Sequence, residues 1–151
     1  MLYFLMFLSR FLVFLQFSFL ALLCMPFYLI PLQYAWIVSF ISISLCLKLL
    51  IWTSYHNKIG NFNIVPEIKE GCELIQTGPY RFIRHPMYTA IVLAGLSAMF
   101  YGFALFKLVL MVGLVLVLFV KAKREEKFWC EHTLAYTKYQ KNTKMFIPFV
   151  L

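Results

Sequence analysis

Two groups of residues in this chain have the types and spacing to do chemistry. One is the run Gly78-Pro79-Tyr80-Arg81-Phe82-Ile83-Arg84-His85-Pro86-Met87-Tyr88, and the other is the pair Glu125-Glu126. Together they offer carboxylate, imidazole and guanidinium groups, with the rings of Tyr80 and Tyr88 close by in sequence. A carboxylate holds an ammonium group, and His or Arg holds a carboxylate. Aromatic faces favour a cation. The set suits a small ligand that carries both an amino-acid head and a positive centre. Taken singly, each piece has a plainer reading. Glu125 and Glu126 sit among Lys121, Lys123 and Arg124 and could be a salt-bridged helix end, and a lone His85 is more often structural.

What could bring the two groups together is the segment between them. Thr89 to Val120 carries a single charge, Lys107. The groups meet only if this segment crosses a bilayer and returns. Composition supports a bilayer: 63% of residues are hydrophobic, 13% are charged, and mean hydropathy is +0.82. Soluble domains are roughly a quarter charged. Ionisable groups at the edge of such segments are costly and mark function by default.

The 151 residues give room for one membrane domain, residues 1–151. Each span needs about 20 apolar residues. The expected fold is all-α and integral to the membrane, with four transmembrane helices at about 11–32, 34–52, 87–101 and 106–123. The first helix could start ahead of Arg10, with that side chain snorkelling. The last two helices form a C-terminal hairpin turning at Tyr101-Gly102. As one helix, Met87 to Val120 would be roughly 50 Å long at about 1.5 Å per residue, too long for a hydrocarbon core of roughly 30 Å. The second arm runs on past Lys123. Residues 55–86 form the one long polar loop, punctuated by Gly60, Pro66, Gly71 and Gly78. The tail from Lys121 alternates lysines with Phe128, Trp129, Leu134, Tyr136 and Tyr139, and reads as an amphipathic cytoplasmic helix at the interface.

Orientation follows from the positive-inside pattern. With the polar loop and both termini in the cytoplasm, all but one of the 14 Lys and Arg residues lie on or near the inner side, the exception being Lys107. The net charge of +8 is therefore accounted for without nucleic acid. Cys24, Cys46, Cys72 and Cys130 are scattered, with no CxxC and no zinc spacing, so no metal is expected and the thiols read as free.

The run GPYRFIRHPMY, the later Glu-Glu pair and the tail ending in Ile147-Pro148 resemble the membrane methyltransferases. These comprise the isoprenylcysteine carboxyl methyltransferases, the phospholipid methyltransferases and their small bacterial relatives. The resemblance covers residues 74–148. It implies a helical membrane bundle that binds S-adenosylmethionine on the cytoplasmic side beneath the C-terminal segment, through residues 72–88 and 121–148. It places Leu74, Ile75, Tyr80, His85, Pro86, Met87, Tyr88 and Glu125 at cofactor-binding positions, with Glu125 on the cofactor's amino-acid head. Arg84, Glu126 and Lys121 become the catalytic candidates, Glu126 as the companion of Glu125. Lys121 aligns with a substrate-contacting arginine of the isoprenylcysteine enzymes. Lysine lacks the planar bidentate fork that grips a carboxylate, which counts against a prenylcysteine carboxylate here.

The implied reaction is in-line methyl transfer from sulfonium to a lipophilic acceptor drawn from the bilayer, either an isoprenylcysteine-type carboxylate or a phospholipid amine. A carboxylate needs no base, whereas an amine must lose a proton, for which Glu126 or His85 is the local candidate. Membrane lipids are the expected partners, and the small single-domain plan points to a bacterial inner membrane. Two other readings stand beside this one. The membrane sterol reductases, much longer chains, carry a related Arg-His-Pro and Tyr stretch and bind a nicotinamide cofactor. A small non-enzymatic membrane protein would use the same cluster only to cap its hairpin.

Overall fold

The computed structural model of the chain describes residues 2–26, 33–57, 65 and 72–150. Five α-helices are present among them: α1 (Leu2–Cys24), α2 (Ala35–His56), α3 (Pro86–Tyr101), α4 (Leu105–His132) and α5 (Leu134–Asn142). A 3₁₀ turn, Gly78–Arg81, precedes α3. No strand occurs among the described residues, only an isolated parallel bridge between Ile83 and Lys144.

The helix boundaries refine the expected spans. α1 starts well before residue 11, at Leu2, and stops at Cys24. Residues 27–32, and most of the polar loop from 58 to 71, lie outside the described residues. α2 continues a turn past Trp52 to His56, and α4 continues far past Lys123 to His132. The first part of the expected tail helix, residues 121–132, is therefore the end of α4. It is followed by α5, a separate short helix that begins after Thr133, whose side chain accepts a hydrogen bond from Ala135 N and caps it.

Among the described residues, three helices are long and apolar enough to cross a membrane: α1 over Met6–Cys24, α2 and α4. α3 is apolar but shorter, 16 residues or roughly 24 Å. The helices turn their largest apolar side chains outward. On α1, Phe7, Phe11, Phe14 and Phe17 are exposed, while Ser9, Leu12, Gln16 and Leu23 are buried. On α2 the buried set is Ser39, Ser42, Cys46 and Thr53. Both sets recur at about 3.5-residue spacing, so each helix buries one stripe. Beside Leu12 and Leu23, the stripes are made of small or polar residues (Ser9, Gln16, Ser39, Ser42, Cys46 and Thr53), because lipid is as apolar as leucine. Helices in lipid associate by close contact and hydrogen bonds instead.

Individual contacts show this. Ser39 Oγ donates to Ser97 O at 2.9 Å and lies 3.0 Å from Ser97 Oγ, joining α2 to α3. Gly95 of α3 admits Leu114 and Met111 of α4, and Gly113 of α4 admits the ring of Phe19 of α1. Leu23, Met99, Met111, Leu114 and Leu118 form the apolar core.

α3 and α4 are joined by only Gly102, Phe103 and Ala104 and form a hairpin. Lys107, expected outside beside this turn, is buried. Its Nζ donates to Ala98 O at 3.3 Å, satisfying a carbonyl that the last turn of α3 leaves without a helical partner. α1 runs antiparallel to α4, with Phe19 on Gly113, Gln16 on Lys121 and Ser9 on Arg124. α2 runs antiparallel to α3, with Ser39 beside Ser97 and His56 beside Gly78. The start of α1, the end of α2, the start of α3 and the end of α4 thus share one end of the bundle.

Candidate functional site

The two sequence clusters meet at that shared end. Pro86 occupies the first position of α3, where its missing N–H costs nothing, and His85 is the preceding N-cap residue. Just upstream, Gly78 takes a left-handed backbone, φ +59°, against the His56 ring. That turn aims the segment Ile83–His85 at α4. Glu125 and Glu126 come from the polar extension of α4, beyond its apolar run ending at Val120.

Adjacent on a helix, the two glutamates point different ways and have different partners. Glu126 is buried. Its Oε1 accepts from Arg84 Nε at 2.6 Å and lies 3.3 Å from His85 Nε2, and its Oε2 accepts from Gln140 Nε2 at 2.9 Å. Burial alone would raise its carboxyl, but the hydrogen bonds and charges of His85 and Arg84 prevail and hold it down at about 2. Glu125 keeps about a third of its side chain exposed, with Oε2 3.7 Å from His85 Nδ1 and accepting from Tyr88 Oη at 3.1 Å. The rings of His85 and Tyr88 stack with centroids 5.3 Å apart.

Arg84 also donates through Nη1 to Gln140 O, at 3.2 Å, and to Thr143 O. This clasps the chain beyond α5 against the Arg-His-Pro segment. Backbone bonds complete the clasp: Arg84 N to Lys144 O at 2.8 Å, His85 N to Met145 O at 3.1 Å and Lys144 N to Phe82 O at 3.2 Å. Thr89 Oγ1 adds a bond to Phe146 O at 2.9 Å. The tail thus folds back as a roof, with Tyr139 Oη donating to Tyr80 O at 2.6 Å.

Beneath the roof is a cleft lined by Leu74, Ile75, Tyr80, Arg84, His85 and Glu125, together with Asn57, Glu73, Trp129, Tyr136 and Tyr139. Six of the sequence-predicted residues therefore share one wall system. Tyr88 stands behind it, holding Glu125. Pro86 is buried at the helix start and Met87 is half-buried beside it, and neither lines the cleft. Lys121 is buried on the far side of Tyr88, 5.2 Å from that ring, with Nζ on Gln16 Oε1 at 2.5 Å.

In sequence, Trp129, Tyr136 and Tyr139 read as interfacial aromatics, and Gln16, Asn57, Glu73, Gln140 and Thr143 fall outside the predicted site. A lone amide such as Gln16 in an apolar helix was the readable signal. The phenols are kept neutral. Tyr80 is pushed up to about 12, first by burial and then by Glu125, and burial chiefly raises Tyr136 and Tyr139 as well. The cleft therefore presents neutral aromatic faces and the carboxylates of Glu73 and Glu125, while Arg84 is already committed to Glu126. Such a lining favours a ligand with a cationic portion.

Helices that face outward with phenylalanine and leucine, and gather their ionisable groups at one end, make this an integral membrane protein with a polar cleft at the bundle's end. The phospholipid methyltransferase family matches residues 36–135, two thirds of the chain, and the chain belongs to that family. The match starts inside α2, earlier than the residues that carried the sequence resemblance, and ends at the first turn of α5. No curated protein matches the chain. Membership makes it a membrane methyltransferase.

Proposed function

We propose that the protein uses S-adenosylmethionine to methylate a lipophilic acceptor taken from the bilayer, with α1 to α4 each crossing the membrane and both termini in the cytoplasm of a bacterial cell. The observation that carries this reading is Glu125, a part-exposed carboxylate on the cleft wall, held by Tyr88 and His85 and surrounded by aromatic side chains. The donor set fits the cofactor. Glu125 suits the α-ammonium group, and the faces of Tyr80, Trp129, Tyr136 and Tyr139 suit a cation and an aromatic base. When bound, S-adenosylmethionine supplies an electrophilic methyl group on a positively charged sulfur.

The chain's own residues divide the remaining work. Glu126 is a poor proton acceptor, because it is ionised, buried and engaged at both oxygens. Its role is to orient Arg84 and His85. An ionised Glu126 only accepts, so its 3.3 Å contact with His85 Nε2 is made by an N–H of the ring. His85 Nδ1, on the Glu125 side, is the ring nitrogen that an amine acceptor in the cleft would meet. Lys121, fixed by Gln16 and Tyr88, borders the site toward α1 and the lipid. The family and the lysine at this position favour a phospholipid amine over an isoprenylcysteine-type carboxylate.

Equilibrium binding of tritiated S-adenosylmethionine and of NADPH to the detergent-purified protein tests the reading. Micromolar binding of the first, lost in Glu125→Ala, is expected. Binding of NADPH in its place would return the site to a reductase, and lipid extracts from cells fed labelled methyl donor identify the acceptor.

A further inference from the structure

A second cleft lies on the opposite face of the clasp, between α4 and the returning tail. Lys123, Lys141 and Lys144 surround it, Phe119 and Val150 form apolar walls, and Arg84 forms its floor. All three lysines are exposed, and no acidic side chain lines the cleft. The Arg84 guanidinium is engaged with Glu126, Gln140 O and Thr143 O, so the lysines are the groups available to an anion. Three like charges around one hollow repel each other, and a bound anion offsets that repulsion.

We infer that this cleft is a headgroup site for an anionic phospholipid, separate from the cleft that holds Glu125. Its position selects a lipid over a free anion. Val112, Leu116 and Phe119 are exposed at helical spacing along α4 and form an apolar strip that leads from the bilayer-facing surface to the lysines. The apolar run of the helix ends at Val120, so the cleft opens where hydrocarbon gives way to headgroups. An acyl chain lies along the strip while the phosphate meets Lys123, Lys141 and Lys144. Lys123 Nζ already sits 5.6 Å from the Phe119 ring, above the end of that strip. The inference requires that the chain lie in a bilayer and is independent of methyl transfer.

The test is native mass spectrometry of the full chain in detergent, titrated with dioctanoyl phosphatidylglycerol or dioctanoyl phosphatidylcholine. Phosphatidylglycerol should bind at least about tenfold more tightly. Lys123→Gln, Lys141→Gln and Lys144→Gln should each weaken it about fivefold, the equivalent of about 1 kcal/mol per cation near an anionic surface. Lys138→Gln removes the same charge from a different cleft, the one it shares with Arg81, and should cost less than about twofold. An equal loss in Lys138→Gln would mean diffuse charge and overturn the site. So would equal affinity for phosphatidylcholine, or displacement of the lipid by equimolar inorganic phosphate. All four lysines are exposed, so folding is retained in every variant.

Discussion

Replacing Glu126 by Gln removes the anion that Arg84 and His85 share. Two independent routes give the cost. The carboxyl sits at about 2 in the folded protein against an ordinary 4.5. At about 1.4 kcal/mol per unit, that difference is worth about 3 kcal/mol. Breaking a buried ion pair by deleting one partner costs about 3–5 kcal/mol, because the surviving charge is left uncompensated, and Arg84 retains only 8% side-chain exposure. A depressed folded value stabilises above the unfolded one, so wild-type stability should hold above about pH 4.5 and fall as pH drops toward 2. The assay is unfolding in detergent followed by tryptophan fluorescence, since Trp129 stacks on Tyr136 beneath the roof. Glu126→Gln should lose about 3 kcal/mol at pH 7 and lose that acid limb as well. The double variant Arg84→Met/Glu126→Leu should lose less than either single change. If Glu126→Gln unfolds within about 0.5 kcal/mol of wild type, or keeps the same fall between pH 4.5 and 2, the clasp is not what holds the tail.

Three other changes probe other joints. Gly78→Ala forces a left-handed residue and drives a Cβ into the His56 ring. It should lose at least about 1–2 kcal/mol, read as a lower unfolding midpoint, and an unchanged midpoint would refute the turn geometry. Gly113→Val overfills the contact with Phe19 and should cost about 1–3 kcal/mol in the same assay, whereas a neutral result would mean α1 does not seat on α4 there. Leu105→Cys, exposed at the start of α4 in a background lacking the native cysteines, should react with an impermeant maleimide on intact cells. Labelling only after lysis would overturn the four-crossing arrangement.

The position and length of the apolar runs were enough to locate four helical segments, because in lipid every backbone group must be satisfied within its own segment. The break at Gly78 ahead of His85 and the bracketing of Thr89–Val120 by two ionisable clusters were equally readable, since both are local patterns. What could not be read was phase. Glu125 and Glu126 differ by one residue, about 100° around a helix. Only the packed bundle sends one to the cleft and the other to Arg84. The fate of the tail was also hidden. Its lysines and aromatics fit an interfacial helix, yet the break at Thr133 and the carbonyls of Gln140 and Thr143 on Arg84 turn it into a roof. Gln16 and Lys121 are far apart in the chain and become partners only when α1 docks on α4. Sequence therefore determined which segments are helical and which residues carry charge. Tertiary structure decided which charges neutralise one another and which remain for a ligand, because a buried ion chooses its partner by geometry that no local spacing encodes.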